Sequence, residues 1–201
     1  MDRSNVDSLE LQLVEQAANG GRDARRELFE RHRERAYRVA LRITGRHEDA
    51  LDVVQDSFIK AFEGLGEFQR AAGFKTWFLR IVTNRALDLL RARKVRLAVP
   101  LDAGDDEPRL EPPGGNRTDQ PGADLERREL ADRLQRAVES LPPEQRAVFA
   151  LYATGEMTYG QIAETVGIPI GTVMSRLYHA RRRLHGLLED LAPRGATVEE
   201  K

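Results

Sequence analysis

No cysteine occurs among the 201 residues. The chain therefore has no disulfide framework and no thiolate metal ligand, which fits a reducing compartment. Aromatic residues are sparse at 6% and β-branched residues are not clustered, so helices are favoured over sheets. No apolar run approaches the ~18 residues that a membrane span requires. Met1-Asp2-Arg3-Ser4-Asn5 leads into an acidic amphipathic stretch, not an apolar signal core. A soluble, cytoplasmic protein is expected. Charge of one sign is also lacking: 32 Lys and Arg stand against 33 Asp and Glu, a net −1. That argues against a nonspecific polycation, although opposite charges can sit on separate segments. The histidines His32, His47, His179 and His185 are scattered without metal-ligand spacing, and no nucleophile or phosphate-loop motif appears. No catalysis, cofactor or metal is expected.

What the chain does have is punctuation. Residues 96–124 hold five of the nine prolines (Pro100, Pro108, Pro112, Pro113, Pro121), four glycines, and seven acids against three arginines. Such a segment buries little and reads as a flexible acidic linker between two helical units. Four helices are expected before it. The first covers about Asp7 to Ala18, with Leu9, Leu13 and Val14 on one side. The second follows Asp23 as N-cap and ends at Gly45. The third runs from His47 to Phe62, with Leu51, Val54, Phe58, Ile59 and Phe62 as its apolar stripe. The fourth starts near Gly73 and carries Phe74, Trp77, Phe78, Ile81, Val82, Ala86, Leu89 and Leu90 at core-facing spacing. After the linker, helices are expected over Leu125 to Ser140, from Pro142 or Pro143 to about Thr154, over Tyr159 to Val166 behind a Thr158/Gln161 capping box, and from Ile170 to about Leu191.

The last two of these have the spacing of a helix-turn-helix. Ala163 is small enough for close approach, Gly167 can take positive φ in the turn, and Val173 packs back on the first helix. With Val173, Leu177, Ala180 and Leu184 inward, the opposite face carries Thr172, Ser175, Arg176, His179, Arg182 and Arg183, flanked by Met174 and Tyr178. The helix N-terminus suits a phosphate, and Ser, His and Arg can read base edges in a major groove. Arg181-Arg182-Arg183 alone would be an ordinary solvated face; behind a helix-turn-helix it points to DNA.

The wording of the motifs resembles one family. Ile168-Pro169 and Gly171-Thr172-Val173-Met174-Ser175-Arg176-Leu177, with Leu141-Pro142-Pro143-Glu144-Gln145-Arg146 upstream, resemble region 4 of extracytoplasmic-function (ECF) sigma factors, of the sigma-70 family. Asp49-Ala50-Leu51-Asp52-Val53-Val54-Gln55-Asp56-Ser57-Phe58 is similar to region 2.2. Phe74-Lys75-Thr76-Trp77-Phe78-Leu79-Arg80-Ile81 and Asn84-Arg85-Ala86-Leu87-Asp88-Leu89-Leu90-Arg91 are similar to regions 2.3 and 2.4. The resemblance implies an all-α protein of two domains: region 2 over 1–95, a flexible acidic linker over 96–124, region 4 over 125–192 with its helix-turn-helix, and a tail over 193–201.

It also implies roles. Asp52, Gln55 and Asp56, at i, i+3 and i+4 on one helical face, are expected to bind RNA polymerase core at the clamp helices of its largest subunit, while the flap of the second-largest takes region 4. For the minus-ten element of promoter DNA, the implied residues are Phe68, Gln69, Arg70, Lys75, Trp77, Arg80, Asn84 and Arg85. The loop offers an aromatic for stacking and polar groups for base edges. For the minus-thirty-five element they are Thr172, Met174, Ser175, Arg176, Tyr178, His179, Arg182 and Arg183. An anti-sigma factor is an expected partner. Two points stay open at this level: the spacing of Trp77 with Phe74 and Ile81 favours a core role over a base-contacting wedge, and Phe68 can equally plug the helical core. Met174 and His179 stand where the family often has basic residues, and Gly160 where it often has an acid. A DNA-binding regulator with a helical sensor domain is the competing reading; in it Asp52, Gln55 and Asp56 would be expendable.

Overall fold

The computed structural model describes residues 3–68, 73–98 and 121–189. Among them the regular elements are all helical: α1 (Arg3–Ala18), α2 (Arg22–Thr44), α3 (His47–Gly64), α4 (Phe74–Ala98), α5 (Pro121–Glu139), α6 (Pro143–Tyr152), α7 (Tyr159–Val166) and α8 (Ile170–Leu188), with one 3-10 turn at Leu65–Glu67. The expected linker is trimmed at both ends. α4 continues through Arg96 to Ala98, where Arg, Leu and Ala are good helix formers, and α5 opens at Pro121, since proline is tolerated in a first turn. The rest of that linker, residues 99–120, and the tail over 193–201 lie outside the described residues.

α2, α3 and α4 pack on one another, with α1 laid across α2. The buried line on α1 is Glu10, Leu13, Val14 and Ala17, an i, i+3, i+4, i+7 set. Leu9, expected on that line, is half exposed. Glu10 occupies the inward position instead because His32 of α2 meets it, Nε2 to Oε1 at 2.9 Å. The His32 ring in turn leans edge-on against Phe74. The N-cap of α2 is Gly21, not Asp23; Asp23 lies within the first turn, where its charge complements the helix dipole. Gly45 ends α2 as expected, at φ +79°, with its N–H donating to the Leu41 carbonyl.

On α3 the inward positions are Ala50, Val53, Val54, Ser57, Phe58 and Ala61. Leu51 and Ile59, assigned to the apolar stripe from the sequence, point to solvent at 48% and 51% exposure. Small residues at 50, 57 and 61 let α3 sit close to its neighbours, and that shifts the buried line by one position. Phe58, Phe74 and Phe78 then form an aromatic centre, Phe58 to Phe78 at 4.4 Å and Phe74 stacked on Phe78 at 5.8 Å. Each of these phenylalanines contributes about 1.5–3 kcal/mol by burial.

The C-terminal helices close around Val148, Leu151, Ile162, Val173 and Leu177, with a second cluster of Ala137, Val138, Leu141, Ala180 and Leu184 under α5. The predicted capping box forms: Gln161 N–H donates to Thr158 Oγ1, and Thr158 N–H to Gln161 Oε1. Gly167 takes φ +71°, and Ala163 O accepts from both Gly167 and Ile168. Pro143 is the first residue of α6.

The two units do not stand apart. α6 packs on α2, and α7 packs on α4, so one continuous cluster of buried residues runs through both. Arg146 is the deepest polar link. Its guanidinium donates to the carbonyls of Ile43 (2.9 Å), Leu141 (3.1 Å) and Glu139. Ile43 and Glu139 stand at the ends of α2 and α5, where helical carbonyls lack partners of their own and favour a cation, and Leu141 lies in the α5–α6 connection.

Candidate polymerase and nucleic-acid interfaces

Three surfaces follow from this packing. On α8, Val173, Leu177, Ala180 and Leu184 are buried at helical spacing, which turns the predicted reading face outward. Met174, Ser175, Tyr178, His179, Arg182 and Arg183 are exposed, while Thr172 and Arg176 are partly covered. Tyr178 stands 62% exposed with His179 edge-on to it at 5.4 Å. Arg181 leaves the group: its guanidinium sits 4.5 Å above the Tyr152 ring, a cation–π contact that binds α8 to α6.

On α4, Arg80, Asn84 and Arg85 are exposed, and Lys75 is half-buried with its ammonium donating to the Glu156 carbonyl at 3.0 Å. Arg85 is paired with Asp56 of α3, and Arg93 with Asp49 at 3.3 Å. Trp77 is half-buried, packed between Phe68 (5.1 Å) and Phe74 (5.7 Å). Phe68 is itself half-buried over the core, so both aromatics sit as covering residues whose outer edges alone meet solvent. Gln69 and Arg70 lie outside the described residues.

On α3, Asp52 and Gln55 are exposed and Asp56 is partly covered, paired with Arg85. Between and beside them lie the exposed Leu51 and Ile59. Sequence periodicity missed these two as surface residues because Leu and Ile at i and i+8 read as core. The small residues on the opposite side carried the signal that the core was already filled. Glu156 was also missed: in the α6–α7 connection its carboxylate pairs with Arg35 and, at 3.9 Å, with Arg38 of α2.

Electrostatics set two buried groups apart. Burial pushes Glu10 up, but the His32 hydrogen bond and charge, with Lys75 and Arg31 nearby, outweigh it and hold its carboxyl below the usual range. Burial lowers Arg146 from the usual guanidinium value, with Glu139 opposing; as a guanidinium it stays charged. Among the described residues, no group of three His, Cys, Asp or Glu could hold a metal ion, and no helix is long and apolar enough to cross a membrane.

The described fold and the exposed α8 face define a helical, helix-turn-helix DNA-binding protein. Comparison with known proteins narrows that class. The family descriptions "Sigma-70 region 2" and "Sigma-70, region 4" match residues 28–96 and 131–184. The ECF RNA polymerase sigma factor SigM of Mycobacterium tuberculosis is 37% identical over 170 residues, covering 84% of this chain and 79% of the relative. The ECF RNA polymerase sigma factor SigE of Mycolicibacterium smegmatis is 34% identical over 163 residues; there the chain spans 60% of the relative's length. The solved structure of CnrH in complex with the cytosolic domain of CnrY superposes with a TM-score of 0.63 at 27% identity, covering 89% of this chain and 96% of that one. The chain belongs to the ECF sigma factors of the sigma-70 family. It directs RNA polymerase to promoters, and the family is one of sigma factors, not of catalysts.

Proposed function

We propose that the chain carries out promoter recognition and melting through the three surfaces described, without chemistry of its own, in the cytoplasm. In this reading the α3 face of Asp52, Gln55 and Asp56, flanked by Leu51 and Ile59, docks on the clamp helices of the polymerase's largest subunit. Carboxylates there can meet arginines while the two aliphatic side chains lose water. The division into region 2 over 1–95 and region 4 over 125–192, with α4 and α5 taking the ends of the segment between them into helix as far as 98 and from 121, belongs to the same reading, with region 4 also held by the flap.

Promoter DNA is then gripped at two places. The α8 face enters the major groove of the minus-thirty-five element, with Arg176, Arg182 and Arg183 neutralising phosphates and Ser175 and His179 facing base edges. Lys75, Arg80, Asn84 and Arg85 of α4, with Phe68, Gln69, Arg70 and Trp77 beside them, take the melted minus-ten strand. Unstacked bases would be captured on aromatic and polar groups. An anti-sigma factor is the proposed regulator; the structural neighbour CnrH was solved in complex with the cytosolic domain of a partner, CnrY. The observation that carries the reading is the α8 face: apolar residues buried on one side, arginines, serine and histidine exposed on the other. The test is transcription from a promoter library with sigma-free core polymerase. Start sites that appear only with this chain support it; binding to duplex DNA without any stimulated initiation favours a stand-alone regulator instead.

A further inference from the structure

We infer that Glu10 and His32 are positioning residues for the minus-ten strand: their hydrogen bond fixes the Phe74 ring, and Phe74 sets the Phe68 and Trp77 rings on which an unstacked base would lie. The inference rests on the proposed assignment of those two rings to promoter DNA. His32 is 4% exposed, so it cannot meet a nucleic acid itself and acts only through its neighbours. The path is continuous. Glu10 Oε1 lies 2.9 Å from His32 Nε2, and because a carboxylate only accepts, Nε2 carries the hydrogen. The His32 ring stands edge-on to Phe74, centroids 5.1 Å apart, and to Phe78 at 6.0 Å. The buried Phe74 meets Phe68 at 6.1 Å and Trp77 at 5.7 Å, and those two rings meet each other at 5.1 Å. α1 touches both the 3-10 turn at Leu65–Glu67 and α4. The helix that carries Glu10 therefore braces the element before Phe68 and the one that holds Trp77.

Packing alone does not ask for this pair. Leu9, one position away on α1, is left half exposed while Glu10 turns inward, and His32 Nδ1 is buried without a hydrogen-bond partner. An aliphatic pair in the same place would bury more apolar surface and strand no polar atom. What the hydrogen bond supplies is direction. Aliphatic contacts rotate and slide at little cost, whereas a hydrogen-bonded ring inside a core holds one orientation. Stacking depends on how a ring is presented, and a binding group must be kept within about 0.5 Å of its productive place. Lys75, the chain neighbour of Phe74 and itself a candidate minus-ten residue, also lies in the field of the Glu10 carboxylate.

Trp77 is the only tryptophan of the chain, so its emission and its quenching by acrylamide report on the two rings directly in the full-length protein. The functional readout is promoter opening by the complex with core polymerase, on a promoter taken from the transcription library and carrying a fluorescent base analogue in its minus-ten element. Glu10→Leu and His32→Phe fill the space without the hydrogen bond, while Glu10→Gln keeps an acceptor. The two bond-lacking variants are expected to retain helical content and core affinity but to raise Trp77 quenching. They should also slow opening about tenfold, the order of one lost base stack. Glu10→Gln should restore both readouts. A folded Glu10→Leu with parent quenching or parent opening would overturn the inference. So would Glu10→Gln failing as Glu10→Leu does, or loss of the fold in both bond-lacking variants. Phe68→Ala separates the inference from the reading beneath it. Slow opening in Phe68→Ala with parent opening in Glu10→Leu counts against positioning alone; parent opening in Phe68→Ala removes the minus-ten assignment of the rings, and the inference with it.

Discussion

Arg85 of α4 holds Asp56 of α3 by two nitrogens on one carboxylate oxygen, Nη2 at 2.5 Å and Nε at 2.9 Å. The pair joins a residue proposed for polymerase docking to one proposed for promoter contact. Both side chains are nearly half exposed, so the pair itself is worth only ~0.2–1 kcal/mol of stability. Its importance is positional: Asp56 is already engaged, which leaves Asp52 and Gln55 as the free polar groups of that face.

Alanine at Asp52 and Gln55 together is therefore expected to weaken core polymerase binding at least tenfold, about 1.4 kcal/mol, with helical content unchanged. Asp56→Ala alone should weaken it less. Binding titrations against labelled core, with circular dichroism as the folding control, check this. Core affinity unchanged by the double variant would remove the α3 face from the docking surface.

On α8, Arg182→Ala and Arg183→Ala should each lower the slope of log affinity against log salt by about one on a promoter duplex. Arg181→Ala should leave that slope alone, because its guanidinium lies over Tyr152, and should instead cost modest stability. Anisotropy titrations across a salt series separate the three.

Arg146→Ala should destabilise the fold by about 2–4 kcal/mol, since it strands the buried carbonyls of Ile43 and Leu141 and the partly buried one of Glu139. Arg146→Lys should recover only part of this, because an ammonium lacks the planar fork that spans them. Urea unfolding followed by circular dichroism measures both.

The Glu10–His32 contact gives a pH dependence with a definite sign. The Glu10 carboxyl is lowered in the folded state, so its contribution is present above the ordinary carboxylate range. It is lost as pH falls through the lowered value. The groups facing it are His32, Lys75 and Arg31. Glu10→Gln should flatten the acid limb of the stability curve, and urea midpoints between pH 6 and 3 read the difference. Curves of the same shape for both proteins would show that the pair contributes nothing.

Much of this was legible before the structure. The helix-turn-helix, its capping box, the positive-φ Gly167 and the outward face of α8 follow from spacing alone, because each is set within a few residues. The α3 stripe was misread at Leu51 and Ile59, since periodicity gives a face only to within one residue. Which neighbour can approach closely was decided by Ala50, Ser57 and Ala61. The roles of Arg146 and Glu156 were not legible at all. Their partners, Ile43, Arg35 and Arg38, lie about a hundred residues away along the chain, beyond any local pattern. Gly21 rather than Asp23 caps α2 for a local reason: the preceding turn closes there, with the Gly21 N–H donating to the Gln16 carbonyl.

Leu51 and Ile59 sit in water whenever the chain is alone, beside a protein whose net charge is −1. So small a charge supplies little long-range repulsion between copies. The concentration at which this chain stays monodisperse is then governed by the occupancy of that stripe, so its behaviour in a purified sample and its abundance in a cell should both track the supply of whatever covers it.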